Sequence, residues 1–166
     1  MTPPVLSKAD AASVVRVASG AFVPGRTTLF SVFRDEIYFA PAFFAHYRAL
    51  GVEQFLILDD GSTDGTRDFL AAQPDCVLLA SDLSYGQPIV FVDHAGRRTN
   101  QRAGIFFKMA IPQAFLSGDY VIYVDADEFL FLPPGVADLG AVLARLRARG
   151  AARCGAPLLR VFSGRV

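Results

Sequence analysis

Three acidic residues follow directly on an apolar stretch in the second half of the chain. In VIYVDADEFLF, residues 121–131, the first four residues are typical of a buried strand, and Asp125, Asp127 and Glu128 come immediately after them. Carboxylates crowded between apolar segments repel one another and lose hydration, which costs free energy. A divalent cation would compensate. Because alternate residues of an extended segment point the same way, Asp125 and Asp127 are expected to face one ion while Ala126 faces away.

Acids also follow two earlier apolar runs. The run TTLFSVF, residues 27–33, precedes RDE, and the run EQFLILDD, residues 53–60, ends in two aspartates. Functional groups of a parallel sheet collect at the carboxyl ends of its strands. All three acidic strand ends are therefore expected on one edge of one sheet. The residues at the two earlier ends are Phe33, Arg34, Asp35 and Glu36, and then Asp59 and Asp60.

Strands alternate with helices along most of the chain, which predicts an α/β fold with a mostly parallel central sheet. Pro41 is tolerable in the first turn of its helix, and Gly51 is a typical helix-ending residue. The strands are predicted at 27–33, 53–60, 76–81, 119–124 and 156–163, and the helices at 37–51, 64–73, 99–116 and 136–150.

The remaining segments are predicted as connections. Residues 1–10 are expected to be a loose tail, and residues 11–24 a first strand or an ordered arm. Residues 82–98 are interpreted as a long loop or a hairpin. Ser62 or Thr63 is expected to cap the helix that follows the second strand.

Composition limits the class of protein. The chain has 166 residues, of which 52% are hydrophobic and 19% charged, and this suits one domain with a sizeable core. Sixteen basic residues balance sixteen acidic ones, so no net charge favours nucleic acid or an anionic membrane. Neither a signal peptide nor a transmembrane helix is predicted. Cys76 and Cys154 are expected to be buried free thiols, which fits a cytoplasmic location.

At this point the sequence resembles a family. The order of HYRALGV, DDGSTDGT and DADEF is similar to the nucleotide-sugar-binding portion of family 2 glycosyltransferases, in particular to a family-2-like branch. Residues 45–66 and 119–132 carry most of the likeness. It implies a GT-A fold, a Rossmann-like sandwich, spanning residues 27–166, with residues 1–26 as an N-terminal tail or arm.

The resemblance also implies roles for the acidic strand ends. Asp125 and Asp127 match the acids that hold a divalent metal, Mn²⁺ or Mg²⁺, on the diphosphate, and Asp125 would also meet the nucleotide. Asp59 or Asp60 would contact the base or ribose. The end of the first strand would line the base pocket with Phe33, Arg34 and Asp35.

The reaction so implied is metal-dependent transfer of a sugar from a nucleoside diphosphate sugar, with uridine as the expected base. The acceptor is a hydroxyl group, of a glycan or another molecule, which a base must deprotonate. That base usually follows in the acceptor half, whereas no acid occurs here beyond Asp138. The sequence therefore predicts a domain that is incomplete at its C-terminus, with Glu128 as the candidate base and an exposed apolar surface.

Other functional classes remain open. In a haloacid-dehalogenase-like phosphatase Asp125 would be the nucleophile and Asp127 the acid/base, but this class needs a later lysine, and none follows. A response regulator would use the acids at 59–60, but both lysines, Lys8 and Lys108, are misplaced in the sequence for it. A non-catalytic nucleotide-sugar binder is also consistent with the pattern.

Individual residues have structural alternatives as well. Asp125 and Asp127 could cap backbone amides in a turn, and Glu128 is either a second metal ligand or an ion-pair partner. His46 is expected to be structural. The remaining candidates for contact with the diphosphate also fit an ordinary surface, and they are His94, Arg97, Arg98 and Arg102.

Overall fold

The computed structural model describes residues 2–116 and 120–151. The predicted strand at 156–163 and Cys154 lie outside the described residues. The strands are β1 (Val5–Ser7), β2 (Val15–Ser19), β3 (Thr28–Phe33), β4 (Gln54–Asp59), β5 (Cys76–Ser81), β6 (Pro88–Val92), β7 (Arg98–Arg102) and β8 (Ile122–Tyr123). The helices are α1 (Ala11–Val14), α2 (Ala40–Ala49), α3 (Thr66–Ala71), α4 (Ala103–Phe115) and α5 (Leu139–Ala148).

The larger sheet has five strands in the order β2-β5-β4-β3-β8. Strands β5, β4, β3 and β8 run parallel to one another, and β2 is antiparallel to β5. Apolar residues on both faces of β4 bury the whole strand, as expected for the interior of such a sheet. The α/β prediction is confirmed.

The prediction of a mostly parallel sheet was wrong, because both sheets are mixed. In the smaller sheet, ordered β1-β6-β7, the β1–β6 pair is parallel and the β6–β7 pair antiparallel. The composition of residues 1–10 predicts a loose tail, whereas Val5–Ser7 forms β1 there. A three-residue strand is too short to show a period, so its pairing with β6 is not visible in the sequence.

Helices cover both faces of the larger sheet. On one face, Phe55 and Ile57 of β4 belong to an apolar cluster with residues of α2, α3 and α5. On the other, Leu56 and Leu58 of β4 belong to a cluster with residues of α4, α1 and the smaller sheet. The alternation of side chains along β4 therefore builds a three-layer sandwich. Cys76 is buried in the first cluster, as expected, and burial raises the pKa of its thiol to about 12.

Several element boundaries differ from prediction for local reasons. The polar segment Arg98–Arg102 pairs with β6 as β7, so the hairpin is confirmed and α4 begins later than predicted. The capping of α3 by Ser62 or Thr63 was wrong. Gly65 is the N-terminal cap residue, and the side chain of Asp64 accepts a hydrogen bond from the Thr66 amide (2.9 Å).

Gly51 ends its helix as predicted, and Asp138 is a helix cap that the sequence did not predict. Gly51 ends α2 with a φ of 85°, a conformation that favours glycine. Asp138 caps α5 by accepting a hydrogen bond from the Ala141 amide (2.7 Å). Among the described residues, no helix is both long and apolar enough to cross a membrane.

Candidate functional site

The acidic strand ends share one edge of the larger sheet. Phe33 of β3 lies opposite Asp59 of β4, and Phe30 of β3 lies opposite Tyr123 of β8. All three strands run the same way, so their carboxyl ends meet at one edge, as the sequence predicts. The chain moves from β3 outwards through β4 to β5 and then returns to β8 on the other side of β3. Such a reversal of strand order opens a crevice where α/β sheets bind ligands.

Asp125 and Asp127 lie on the exposed side of the segment that leaves β8. The flanking Val124 and Ala126 are buried in the core, whereas both aspartates are exposed. The buried hydroxyl of Ser31 donates a hydrogen bond to the Val124 carbonyl (2.8 Å) and continues the contact between β3 and β8 beyond the strand. The prediction that the two aspartates face away from Ala126 is confirmed.

The Asp125 carboxylate has a cationic and a phenolic partner. Its Oδ1 accepts hydrogen bonds from the Tyr123 hydroxyl and from the Lys108 ammonium, the latter at 3.3 Å. Burial and the neighbouring Asp125 raise the pKa of Tyr123, so the phenol stays protonated. Burial lowers the pKa of Lys108, but Tyr123, Tyr85 and Asp125 raise it more, so the net shift is upward.

The segment after Asp125 is fixed by α2. The Tyr47 hydroxyl, buried in the core, donates a hydrogen bond to the Glu128 carbonyl (2.9 Å) and accepts one from the Leu130 amide (3.0 Å). His46 contacts the Leu130 carbonyl through Nε2 (2.9 Å), which is a structural role, as expected. The Glu128 carboxylate accepts a hydrogen bond from the Asp125 amide (3.1 Å) and thereby closes a tight turn.

The loop after β3 is locked to the loop after β4. Asp35 has a φ of 56°, a left-handed conformation that costs a non-glycine residue free energy. Its amide donates a hydrogen bond to the Ser62 hydroxyl (3.0 Å), and its carboxylate accepts one from the Thr63 amide (2.6 Å). The DGST sequence therefore ties two strand ends together rather than capping a helix.

Glu36 links the end of β3 to the acids beyond β8. Burial and the charges of Asp127, Asp64 and Asp35 raise the pKa of its carboxyl group. Asp127 has the largest effect among these charges, so its carboxylate lies near enough to repel that of Glu36. Two segments that are far apart in the sequence thus place negative charge on the same crevice.

Asp59 and Asp60 are buried at the end of β4, and each is paired with an arginine. Oδ2 of Asp59 lies 3.4 Å from Arg67, and Oδ2 of Asp60 lies 3.1 Å from Arg34. The second oxygen of Asp60 accepts a hydrogen bond from the Tyr85 amide (2.7 Å). The aspartate side chains are 0% and 4% exposed, whereas those of their arginine partners are 48% and 60% exposed. The arginines, not the aspartates, are thus presented to solvent.

Lys108, which contacts Asp125, and Arg67, which contacts Asp59, were not predicted from the sequence. Lys108 is the only charged residue between Ala103 and Leu116. A single cation on a mostly apolar helix could have indicated a functional contact. Its partner Asp125 is 17 residues further along, so the contact depends on the packing of α4 against β8.

The other basic candidates lie on the hairpin of the smaller sheet. His94 is in the turn between β6 and β7, and Arg97 forms an ion pair with Asp93 (2.7 Å). Arg98 and Arg102 are the exposed end residues of β7. None of the contacts made by the described residues joins these side chains to the acids of the crevice.

Within residues 2–116 and 120–151, no group of three or more histidine, cysteine or acidic side chains is arranged to hold a metal ion. Protein sites for magnesium often supply one or two carboxylates and leave the remaining positions to water and substrate phosphates. The exposed pair Asp125 and Asp127 fits that smaller donor set. No protein family, curated protein or solved structure matches the chain.

Proposed function

We propose that the chain binds a nucleoside diphosphate sugar together with a divalent metal, Mn²⁺ or Mg²⁺, and is a GT-A glycosyltransferase domain. The observation that carries the proposal is the crevice between β3 and β8, where the order of the strands reverses and exposed carboxylates collect. The two-sided helical cover of the sheet and the likeness to family 2 glycosyltransferases support the same function.

The chain's own residues have distinct parts in this proposal. Asp125 and Asp127 hold the metal, which stabilises the negative charge that develops on the departing nucleoside diphosphate. Phe33, Arg34 and Asp35 line the nucleotide pocket, with uridine as the proposed base. Their loop is kept in place by the contacts of Asp35 with the loop after β4.

Asp59 and Asp60 act through their arginines. Because both carboxylates are buried and paired, they hold the guanidinium groups of Arg67 and Arg34 at the edge of the sheet. Exposed guanidinium groups at a sheet edge suit an anionic ligand such as a diphosphate. This role replaces direct contact of the two aspartates with the base or ribose.

Glu128 is the candidate base for the acceptor hydroxyl. Its carboxylate lies beside the metal-ligating segment, where the Asp125 amide already fixes it. If it is the base, Glu128→Gln abolishes sugar transfer and leaves the binding of uridine diphosphate unchanged. Loss of both would instead assign Glu128 to the metal.

Calorimetry with uridine diphosphate, in the presence and absence of Mn²⁺, tests the proposed function. We expect metal-dependent binding to the folded protein. A donor-turnover assay with a uridine diphosphate sugar then separates an enzyme from a non-catalytic binder, since only the enzyme releases uridine diphosphate. No binding by a folded sample under either condition would refute the proposal.

A phosphatase of the haloacid-dehalogenase type is the second candidate, and one observation favours it. Lys108 lies 3.3 Å from Asp125, so a lysine contacts the proposed nucleophile even though it precedes Asp125 in the sequence. In that case Asp125 attacks the phosphorus atom and Asp127 protonates the leaving group. Hydrolysis of p-nitrophenyl phosphate that is lost in Asp125→Asn would establish the phosphatase, whereas the glycosyltransferase proposal predicts no hydrolysis.

A further inference from the structure

Lys108 is a cation held at the proposed metal site by the chain itself. Its Nζ lies 3.3 Å from Oδ1 of Asp125 and 4.5 Å from the centre of the Tyr123 ring. The ring of Tyr85 is 5.8 Å away on another side. The Lys108 side chain is 33% exposed, so the ammonium is in contact with solvent as well as with the carboxylate.

The two aromatic rings keep the ammonium beside Asp125. Tyr85 is held by its amide, which donates a hydrogen bond to the buried Asp60 carboxylate. Its ring packs directly on the backbone of α4, since a Cβ atom on Gly104 would lie 2.5 Å from it. The ring faces also attract a cation. The position of Lys108 is therefore fixed by α4, β8 and the loop after β5 together.

A positive charge at this place has opposite effects on the two proposed ligands. It would repel a divalent metal and compete with it for Asp125, because like charges disfavour each other and both are attracted to the same carboxylate. It attracts a diphosphate that arrives with the metal, because the ammonium can neutralise a phosphate oxygen.

We infer that Lys108 couples metal binding at Asp125 to binding of the nucleotide diphosphate. The inference rests on the proposed function. The metal alone displaces Lys108 from Asp125 and leaves two cations side by side. With the diphosphate present, the displaced ammonium gains a new anionic partner. By thermodynamic linkage, the metal strengthens nucleotide binding by the same factor.

The test is a ratio of dissociation constants. The Kd for Mn²⁺ alone is divided by the Kd for Mn²⁺ at saturating uridine diphosphate, with both measured by calorimetry on the wild type and on Lys108→Met. Methionine matches the four-atom stem of the lysine side chain and removes the charged amino group. We expect Lys108→Met to bind Mn²⁺ alone about twofold more tightly and the metal with nucleotide about twofold more weakly, which lowers the ratio about fourfold.

Three further variants complete the test. Lys108→Arg keeps the charge and should retain the wild-type ratio, and Lys108→Gln is the neutral replacement if Lys108→Met does not fold. Lys8→Met makes the same chemical change at the only other lysine. Lys8 is exposed in the short helical turn after β1, near the N-terminus, and its replacement should leave the ratio unchanged.

The outcomes distinguish failure of the proposed function from failure of the inference about Lys108. A wild-type protein that binds neither Mn²⁺ nor uridine diphosphate overturns the proposed function and this inference together. A wild type that binds both, with the same ratio in the neutral variants, overturns the inference alone and leaves the proposed function standing. A Lys108→Arg variant that behaves like Lys108→Met also overturns it, because packing rather than charge would then be responsible.

Discussion

Asp60 should contribute more to stability than any exposed acid of the crevice. Its side chain is 4% exposed, and it accepts hydrogen bonds from the Tyr85 amide and from Arg34. In Asp60→Ala the Tyr85 amide loses its acceptor, which costs about 1–3 kcal/mol. The ion pair with the largely exposed Arg34 adds only about 0.2–1 kcal/mol. The expected loss in the free energy of unfolding is therefore about 1–4 kcal/mol.

Urea denaturation of three variants separates these two contributions. Asp60→Asn keeps an acceptor for the Tyr85 amide and loses the charge, so it should fall between the wild type and Asp60→Ala. Arg34→Ala removes the guanidinium group but keeps the acceptor of the Tyr85 amide, so it should cost less than Asp60→Ala. If Arg34→Ala destabilises the protein as much as Asp60→Ala does, the ion pair is the main contribution and the reasoning from burial is wrong.

Two further variants probe the crevice and the segment that follows it. Burial and neighbouring acids raise the pKa of Glu36, so ionisation of Glu36 opposes folding. Glu36→Gln should therefore unfold at a higher urea concentration than the wild type at pH 7. The difference should vanish below the ordinary glutamate pKa of 4.5, where Glu36 is protonated in both the folded and the unfolded protein. An equal difference at all pH values would contradict this cause. Tyr47→Phe leaves the Glu128 carbonyl and Leu130 amide without their buried partner and should cost about 1–3 kcal/mol in urea denaturation. A cost near zero would show that water replaces the hydroxyl.

The sequence was most informative where an apolar strand ends in acids. The runs that end at Phe33 and Asp59 form the buried strands β3 and β4, as their apolar composition predicts, whereas the run before Asp125 forms only the short, half-buried β8. Their common edge follows from parallel pairing, and that geometry was confirmed. The α/β class and the alternation of exposure around Ala126 were predictable for the same reason, because each depends on local periodicity.

Contacts that depend on packing between distant segments were not predictable. The hydrogen bond from the Tyr85 amide to Asp60, and the ion pair between Lys108 and Asp125, join elements whose approach is decided by the whole core. Strand β7 lies at the exposed edge of the smaller sheet, so all five of its residues are polar and no apolar pattern marks it as a strand. Ser62 does not cap a helix, because the left-handed conformation of Asp35 brings the Asp35 amide to the Ser62 hydroxyl instead.

The central claim is that the exposed carboxylates beyond β8 hold a divalent metal on a nucleoside diphosphate. The most direct measurement is the affinity for uridine diphosphate at saturating Mn²⁺ in Asp127→Asn and in Glu53→Gln. Glu53→Gln makes the same charge-removing change at an exposed acid beside the start of β4, on the opposite edge of the sheet. We expect Asp127→Asn to lose the metal-dependent part of the affinity and Glu53→Gln to keep it. Equal affinities in both variants, with both proteins folded, would contradict metal binding by Asp127.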